Sequence, residues 1–475
     1  MNFPTHRPAH RASIHQKGTS PMSAPLSRKS FLTLTGASLG AAALAACAGP
    51  STSGGGTTDK STSIDWSKIK PAATISFMSS HPGKSRETEL KLIEAFHAAN
   101  PDITVNLITG GSNYEEVAQK FQTAQAGTEV PDVVVASDVW WFRYAVSGTV
   151  LALDELLNAV GVSTSDYAPG LISDYEYNNK QWAVPYARST PLFYFNKDHF
   201  KAAGVPERAP ATWSEFSEWA PKIKAAQNSA SGYQNAYQYP AIAGYAGWTL
   251  QNVLWGMGGS WSKEWEITAD AAASVSAMQW VQDSIVKDGW AGVSSKNAIT
   301  DLQAGAVSAT ISSSADLTAT LKAAKEANMR IGVGFLPGGP VSASPVCPTG
   351  GSGLVVASKT TPERQLAAAK FVTFVTNAQS AATLSAATGY MPVAKDADIS
   401  AIVAQTPEFA TVVDQLKVTR TQDFARTFLP GGDQELAKAA TKIMNEKAEV
   451  KATLSDLRAA LETIYTKDVK PKLKS

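Results

Sequence analysis

The sequence has two cysteines, Cys47 and Cys347, and six histidines in 475 residues. A scaffold stapled by disulfides needs more cysteine than that. Three histidines (His6, His10, His15) crowd the start of the chain, and His81, His97 and His199 are scattered. No HExxH or His/Cys grouping occurs, which argues against a zinc site. Charge is sparse as well: Asp, Glu, Lys and Arg make up 17% of the chain, too little for a disordered polyelectrolyte or a coiled coil. A basic excess is also missing. Residues 1–46 hold five basic side chains (Arg7, Arg11, Lys17, Arg28, Lys29) and no acid, so 37 basic residues face 41 acidic ones beyond them, a net charge near −4. Nucleic acid is therefore not an indicated partner. What the chain does have is 44% hydrophobic residues and, at roughly 150 residues per domain, enough length for two or three cores.

The first apolar stretch lies in a leader. Ser27-Arg-Lys-Ser-Phe-Leu-Thr-Leu is followed by apolar residues through Ala43 and then Leu44-Ala45-Ala46-Cys47. This run is too short and too rich in Gly and Ala for a membrane-spanning helix. It resembles a bacterial lipoprotein signal, which implies a signal peptide over 1–46, cleavage before Cys47 and lipidation of its sulfur. Arg28-Lys29 also resembles a relaxed twin-arginine signal, and Met22 offers an alternative start. Residues 47–71 read as a Gly/Ser/Thr-rich tether from anchor to folded domain. Gly36-Ala-Ser38-Leu-Gly40 matches the Gly-x-Ser-x-Gly nucleophile pattern but lies inside the leader and carries no chemistry. With Cys47 lipidated, Cys347 has no disulfide partner and reads as a small buried hydrophobe.

Beyond the tether, Ala73–Met78, Ile103–Ile108 and Asp132–Ala136 read as strands alternating with helices from Ser85 and around Tyr114–Phe121. That order is the signature of a parallel sheet in an α/β layer. Leu192–Asn196 reads as a strand, and Lys197–Ala203 as a short helix. Thr212-Trp-Ser-Glu215 is a capping box opening a helix to about Ala226. Thr268–Lys287 reads as a long helix ended by Gly289. Ala309–Ser312, Ile331–Phe335 and Leu354–Ala357 are further strands, and helices start at Pro362, Asn377, Gln434 and Thr453. Two α/β lobes, with the chain crossing between them more than once, explain this order. The expected division is 72–188 plus 306–358 for lobe 1 and 189–305 plus 359–475 for lobe 2. Ligands in open α/β sheets bind beyond the carboxyl ends of strands. The loops that matter are then 109–114, 136–141, 186–191, 312–316 and 348–353.

These loops read Gly110-Gly-Ser-Asn-Tyr114, Ala136-Ser-Asp138-Val-Trp140-Trp141, Arg188-Ser189-Thr190-Pro191, Ser312-Ser313-Ser314 and Thr349-Gly350-Gly351-Ser352-Gly353. Together with Gly244-Tyr-Ala-Gly-Trp248, Tyr186-Ala-Arg-Ser-Thr-Pro-Leu-Phe-Tyr-Phe-Asn-Lys197, Trp213-Ser-Glu-Phe and Thr388-Gly-Tyr-Met-Pro-Val393, they resemble the extracellular solute-binding proteins of ABC importers. The resemblance is to the family-1 type that includes carbohydrate binders, and within it to the Ugp-type branch that binds glycerol 3-phosphate or glycerophosphodiesters. It runs from about residue 73 to 470 and implies a periplasmic-binding-protein-like fold, two α/β lobes around a central cleft joined by a multi-crossover hinge.

The resemblance also implies roles. Tyr114 and Tyr390 would offer aromatic edges and hydroxyl donors from opposite sides of the cleft. Asp138, where the family commonly has Glu, would accept from glycerol hydroxyls or face a choline head. Ser189, with Ser313 or Ser314, would donate to phosphate oxygens, and Gly350 and Gly351 would let backbone N–H groups approach the ligand. Trp248 would wall the pocket and hold a quaternary ammonium by cation–π attraction. Arg426, in Phe424-Ala-Arg-Thr-Phe-Leu-Pro430, would clamp the phosphate, with Arg420 the second candidate. Taken singly, Trp248 reads equally as core, Asp138 and Ser312–Ser314 as helix caps, Gly350–Gly353 as a turn, and one of Trp140 and Trp141 as structural.

The function implied is capture of a small polar solute and its delivery to the permease, by a monomer lipid-anchored at the extracytoplasmic face of the cell membrane. No cofactor or metal is expected. A di- or oligosaccharide is the alternative ligand. An enzyme is disfavoured: metal-dependent phosphodiesterases need ligands that the chain lacks, and a glycosidase needs paired carboxylates where the loops supply only Asp138.

Overall fold

A computed structural model describes residues 64–80, 85–342 and 346–473. The expected leader 1–46, Cys47 and the tether as far as residue 63 lie outside the described residues. The expected tether ran to residue 71, but Trp66 packs beside an apolar cluster and donates to Glu155 at 3.4 Å. The folded part therefore starts earlier than composition suggests.

The first alternation is as expected: β1 (Thr74–Ser79), α1 (Arg86–Ala99), β2 (Thr104–Thr109), α2 (Tyr114–Ala124) and β3 (Val133–Ser137). Asn113 opens α2 by accepting the Glu116 N–H at 3.0 Å, which leaves Tyr114 as the first helical residue. β3 is buried along its whole length, as an unbroken Val run in a central strand must be. After α3 (Trp141–Val146), the segment expected as a loop over 186–191 proves to be two strands, β4 (Val184–Ser189) and β5 (Pro191–Asn196), separated by Thr190 alone.

α4 (Trp213–Gln227) is capped by Thr212, which accepts the Glu215 N–H at 3.1 Å. The reciprocal half of the box is displaced: the Glu215 carboxylate takes the Ala211 N–H at 2.6 Å. β6 (Tyr237–Tyr239) and α5 (Ala246–Gly256) follow, and then α6 (Ala272–Val286), which starts four residues later than expected. Thr268 is used in a turn instead, its N–H bonding the Trp261 carbonyl at 3.0 Å. β7 (Ala291–Val293), β8 (Ala309–Ser313), α7 (Leu317–Glu326), β9 (Ile331–Gly334) and β10 (Gly350–Val356) complete the sheets. The C-terminal helices are α8 (Pro362–Val375), α9 (Ala378–Thr388), α10 (Phe409–Leu416), α11 (Phe424–Thr427), α12 (Gly432–Met444) and α13 (Val450–Ile464).

Two five-stranded sheets result, in the orders β2-β1-β3-β10-β4 and β7-β6-β8-β5-β9. Neither is wholly parallel. β10 runs antiparallel to both β3 and β4, and β5 antiparallel to β8 and β9. β10 reaches its slot from the other sheet with no crossover helix, so nothing obliges it to run parallel. The expected lobe boundaries are corrected accordingly. β8 and β9, assigned with 306–358 to lobe 1, pair with β5 in the second sheet. α8, assigned to lobe 2, lies on the first sheet, where the Phe371 ring is 5.3 Å from both Phe77 and Phe96. α10 returns to the second sheet, its Phe409 and Val412 clustering with Leu192 and Tyr194 of β5. The chain thus passes between the sheets at Thr190, between β9 and β10, and again after Gly389.

Cys347, in the second of these passages, is fully buried, and burial pushes its thiol up to about 12. Among the described residues no helix is long and apolar enough to cross a membrane.

Candidate functional site

The carboxyl ends of β1, β2, β3, β4 and β8 and the amino end of β10 open onto one cavity of about 870 Å³. Nine of the ten expected ligand-site residues line it. Tyr114, Asp138, Ser189, Gly350 and Gly351 do so from the first sheet, Trp248 and Ser313 from the second, and Tyr390 and Arg426 from the third passage and the C-terminal segment. Ser314 is the exception. Successive side chains at the end of β8 point to opposite sides, so Ser314 turns inward, where its hydroxyl accepts the Thr190 N–H at 3.4 Å. Ser313 serves twice, lining the cavity and accepting the Ala315 N–H at 3.1 Å to open the turn before α7.

Aromatic groups form one wall. The Trp248 indole donates to the Thr349 carbonyl at 2.9 Å and lies flat over Gly350, where a Cβ would overlap the ring. Tyr245, one turn earlier, has its ring 6.1 Å from Trp248. The Tyr114 and Tyr390 hydroxyls share a hydrogen bond, so these rings, expected from opposite sides of the cleft, meet in one cluster against the first sheet, and Tyr114 also reaches Ser352 Oγ at 3.4 Å. Burial raises the pKa of all three tyrosines, so they stay protonated donors at neutral pH. Neither Trp140 nor Trp141 lines the cavity. Trp140 donates to Glu115 at 2.8 Å, and Trp141 packs edge-on to Tyr175 and Phe428. Both are structural.

Asp138 does not cap α3; it meets a buried arginine. Arg188, 0% exposed, lies between Asp138 and Asp174, bonding one carboxylate with each terminal nitrogen and the Tyr175 hydroxyl at 2.7 Å. Burial alone would lower the guanidinium pKa, but the neighbouring Asp138 and Asp174 carboxylates raise it above its ordinary value. Burial raises Asp174 as well, against the pull of Arg188.

Arg426 reaches the cavity with its charge already engaged. Its Nε donates to Asp433 at 2.9 Å and its Nη1 to Gln422 Oε1. Arg420, the second candidate, is elsewhere, its guanidinium 3.7 Å over the Trp255 ring.

Gly351 has φ +103°, a conformation suited to glycine, and any Cβ there would run into the Ala187 carbonyl. The strand bulges between Gly351 and Gly353. Gly350–Gly353 is therefore the bulged start of β10, not a free turn.

Sequence reasoning missed several lining residues. Tyr245 and Asn113 sit inside segments already singled out, so their placement after strands was an available signal. Asp433 and Glu115 gave none, because helical carboxylates look alike until the fold aims them. Among the described residues no cluster of side chains could hold a metal ion.

Residues 91–411 match the family model described as bacterial extracellular solute-binding protein. The sn-glycerol-3-phosphate-binding periplasmic protein UgpB of Escherichia coli (strain K12) is 26% identical over 336 residues, 68% of this chain and 75% of that protein. UgpB from Mycobacterium tuberculosis, solved in complex with glycerophosphocholine, is 40% identical with a TM-score of 0.79, covering 84% of this chain and 100% of that one. Maltose-bound MalE3 of T. maritima, at 21% identity, TM-score 0.72 and coverage of 83% and 100%, shares the fold alone. The match over most of the folded chain, on a periplasmic-binding-protein-like architecture, shows that this chain belongs to the bacterial extracellular solute-binding protein family.

Proposed function

We propose that this chain is the solute-capturing subunit of an ABC importer. It takes a glycerophosphodiester, glycerophosphocholine foremost, between its two sheets and hands it to the permease without chemical change. The observation that carries this reading is the coincidence of an aromatic wall with a lining in which carboxylates outnumber guanidinium groups. A trimethylammonium head has no N–H to donate, so it is held by ring faces and nearby negative charge. Trp248, Tyr245, Tyr114 and Tyr390 supply the rings, and Asp138, Asp433 and Glu115 supply the charge.

The phosphodiester carries a single negative charge. Arg426, half-neutralised by Asp433, suits that charge better than the two of glycerol 3-phosphate, and the hydroxyls of Ser189 and Ser313 add donors. The glycerophosphocholine held by the Mycobacterium tuberculosis relative is of this ligand class. Capture then shifts an open–closed equilibrium of the two lobes.

Calorimetric titration of the folded domain tests the assignment. Tight binding of glycerophosphocholine, weaker binding of sn-glycerol 3-phosphate and none of a disaccharide panel is the expected outcome. A disaccharide bound alone would keep the transport role and replace the solute by a sugar.

Anchoring through a lipid on Cys47 at the extracytoplasmic face, and a monomeric state, belong to the same proposal. Its support is the Leu44-Ala45-Ala46-Cys47 box. A mature protein whose mass matches an unmodified chain starting before Cys47 would refute the anchor.

A further inference from the structure

Beneath the cavity, Gln422 joins the two oppositely charged side chains that face the solute. It is 3% exposed and does not line the cavity itself. Its Nε2 donates to Asp138 Oδ2 at 2.8 Å, and its Oε1 accepts from Arg426 Nη1. Gln251 fixes which way the amide points, because Gln251 Nε2 donates to the same Oε1 at 3.2 Å while Gln251 Oε1 accepts the Asp423 N–H at 2.8 Å. The neighbouring residues hold the segment from both sides. Thr421 Oγ1 donates to Asp174 at 2.9 Å, and Asp423 takes the Trp261 N–H at 2.7 Å and the Trp255 indole at 3.1 Å.

A buried carboxylate and guanidinium brought this close by the fold would ordinarily pair with each other and cancel. A neutral amide between them satisfies one donor of Arg426 and one lone pair of Asp138. Asp138 then keeps its pair with Arg188 and Arg426 its pair with Asp433, and the two are kept from closing on each other. We infer that Gln422 is a specificity-determining positioning residue, a neutral spacer that holds Asp138 and Arg426 apart so that the site accepts a zwitterionic phosphodiester. The inference rests on the proposed solute class and names the residue that sets it.

The distinguishing variant is Gln422→Glu. It keeps the shape and the bond to Arg426 but places a carboxylate against Asp138, adding one negative charge beneath the site. A doubly negative phosphomonoester feels that charge more than a zwitterion does. The ratio of affinities, glycerophosphocholine over sn-glycerol 3-phosphate, should rise at least about tenfold in calorimetric titrations. The near-isosteric Gln422→Met removes both bonds without adding charge. With the amide gone, Asp138 and Arg426 can close on each other, so glycerophosphocholine, which uses both charges, should lose about tenfold more affinity than sn-glycerol 3-phosphate and the ratio should fall.

Thermal unfolding of each variant checks that it is folded, and if the Glu variant fails to fold, the Met variant still decides. An unchanged ratio in either folded variant overturns the inference. An unaltered protein that takes a disaccharide and neither phosphate ester overturns the proposed function itself, a result separable from either of those.

Discussion

Arg426 and Asp138 illustrate how a residue's chemistry depends on what it touches. Each was readable as a ligand group from its segment, yet neither presents a bare charge. Arg426→Ala should cost the phosphodiester about 3 kcal/mol, more than 100-fold in affinity, because Asp433 and Gln422 are left facing the solute without their cation. Undiminished binding would move the phosphate elsewhere.

Glu89 makes a separate prediction about stability. It is 1% exposed, takes hydrogen bonds from Ser79 Oγ at 2.7 Å and Tyr186 OH at 3.3 Å, and burial pushes its carboxyl up to about 7. The folded state prefers the protonated acid. This contribution is present in full below the ordinary pKa of 4.5 and is lost as pH rises toward about 7. Its size is about 3 kcal/mol. Glu89→Gln, which imitates the protonated form, should remove that part of the slope when urea unfolding is followed across the window; an identical slope in both proteins would show that Glu89 is not the group involved.

At the level of elements, β10 carries the cavity floor. Its bulge lets Gly350 lie under the Trp248 ring and Gly351 turn past the Ala187 carbonyl beside Arg188. Gly351→Ala should cost about 1–3 kcal/mol, measured by chemical denaturation, since the residue must hold positive φ and also meets backbone. Binding should weaken with it, because the same backbone positions Gly350.

The element pattern was legible to within a few residues wherever a helix or strand declared itself locally. The Val run of β3, the Thr212 cap and the Gly289 stop are such cases. β4 and the start of β10 were read as loops. Their Arg, Ser, Thr and Gly content resembles loop composition, and only pairing on both sides makes them strands. The Thr268 turn was mistaken for helix because its hydrogen-bond partner, Trp261, sits upstream and outside any helical register.

For the whole molecule, the two sheets are linked by three passages and by side chains that meet across them. Trp141 and Phe142, just after β3, pack on Phe428, with Phe142 ring centroids 4.7 Å from Phe428 and 6.1 Å from Trp265. These contacts lie outside the cavity lining. With the lobe closure proposed above, these rings favour the closed arrangement without touching the solute. Phe428→Ala should therefore lower the affinity for glycerophosphocholine by about tenfold, through the lost closure energy of a buried ring. It should also reduce the contraction seen by small-angle scattering on adding the solute. An affinity unchanged by this variant would mean that these rings do not weight closure.

The sequence by itself determined what depends on neighbours a few residues apart: alternation, caps, stops and the set of loops that reach the cavity. Tertiary structure alone decided what depends on residues far apart. It reversed β10, moved β8 and β9 into the second sheet, and brought α8 onto the first. It set Arg188 against Asp138 across 50 residues and Gln422 against Asp138 across 284. The physical reason is one of range. Caps and periodicities are satisfied within a turn of the chain, whereas a buried charge takes its partner from whichever segment the fold brings within hydrogen-bond distance.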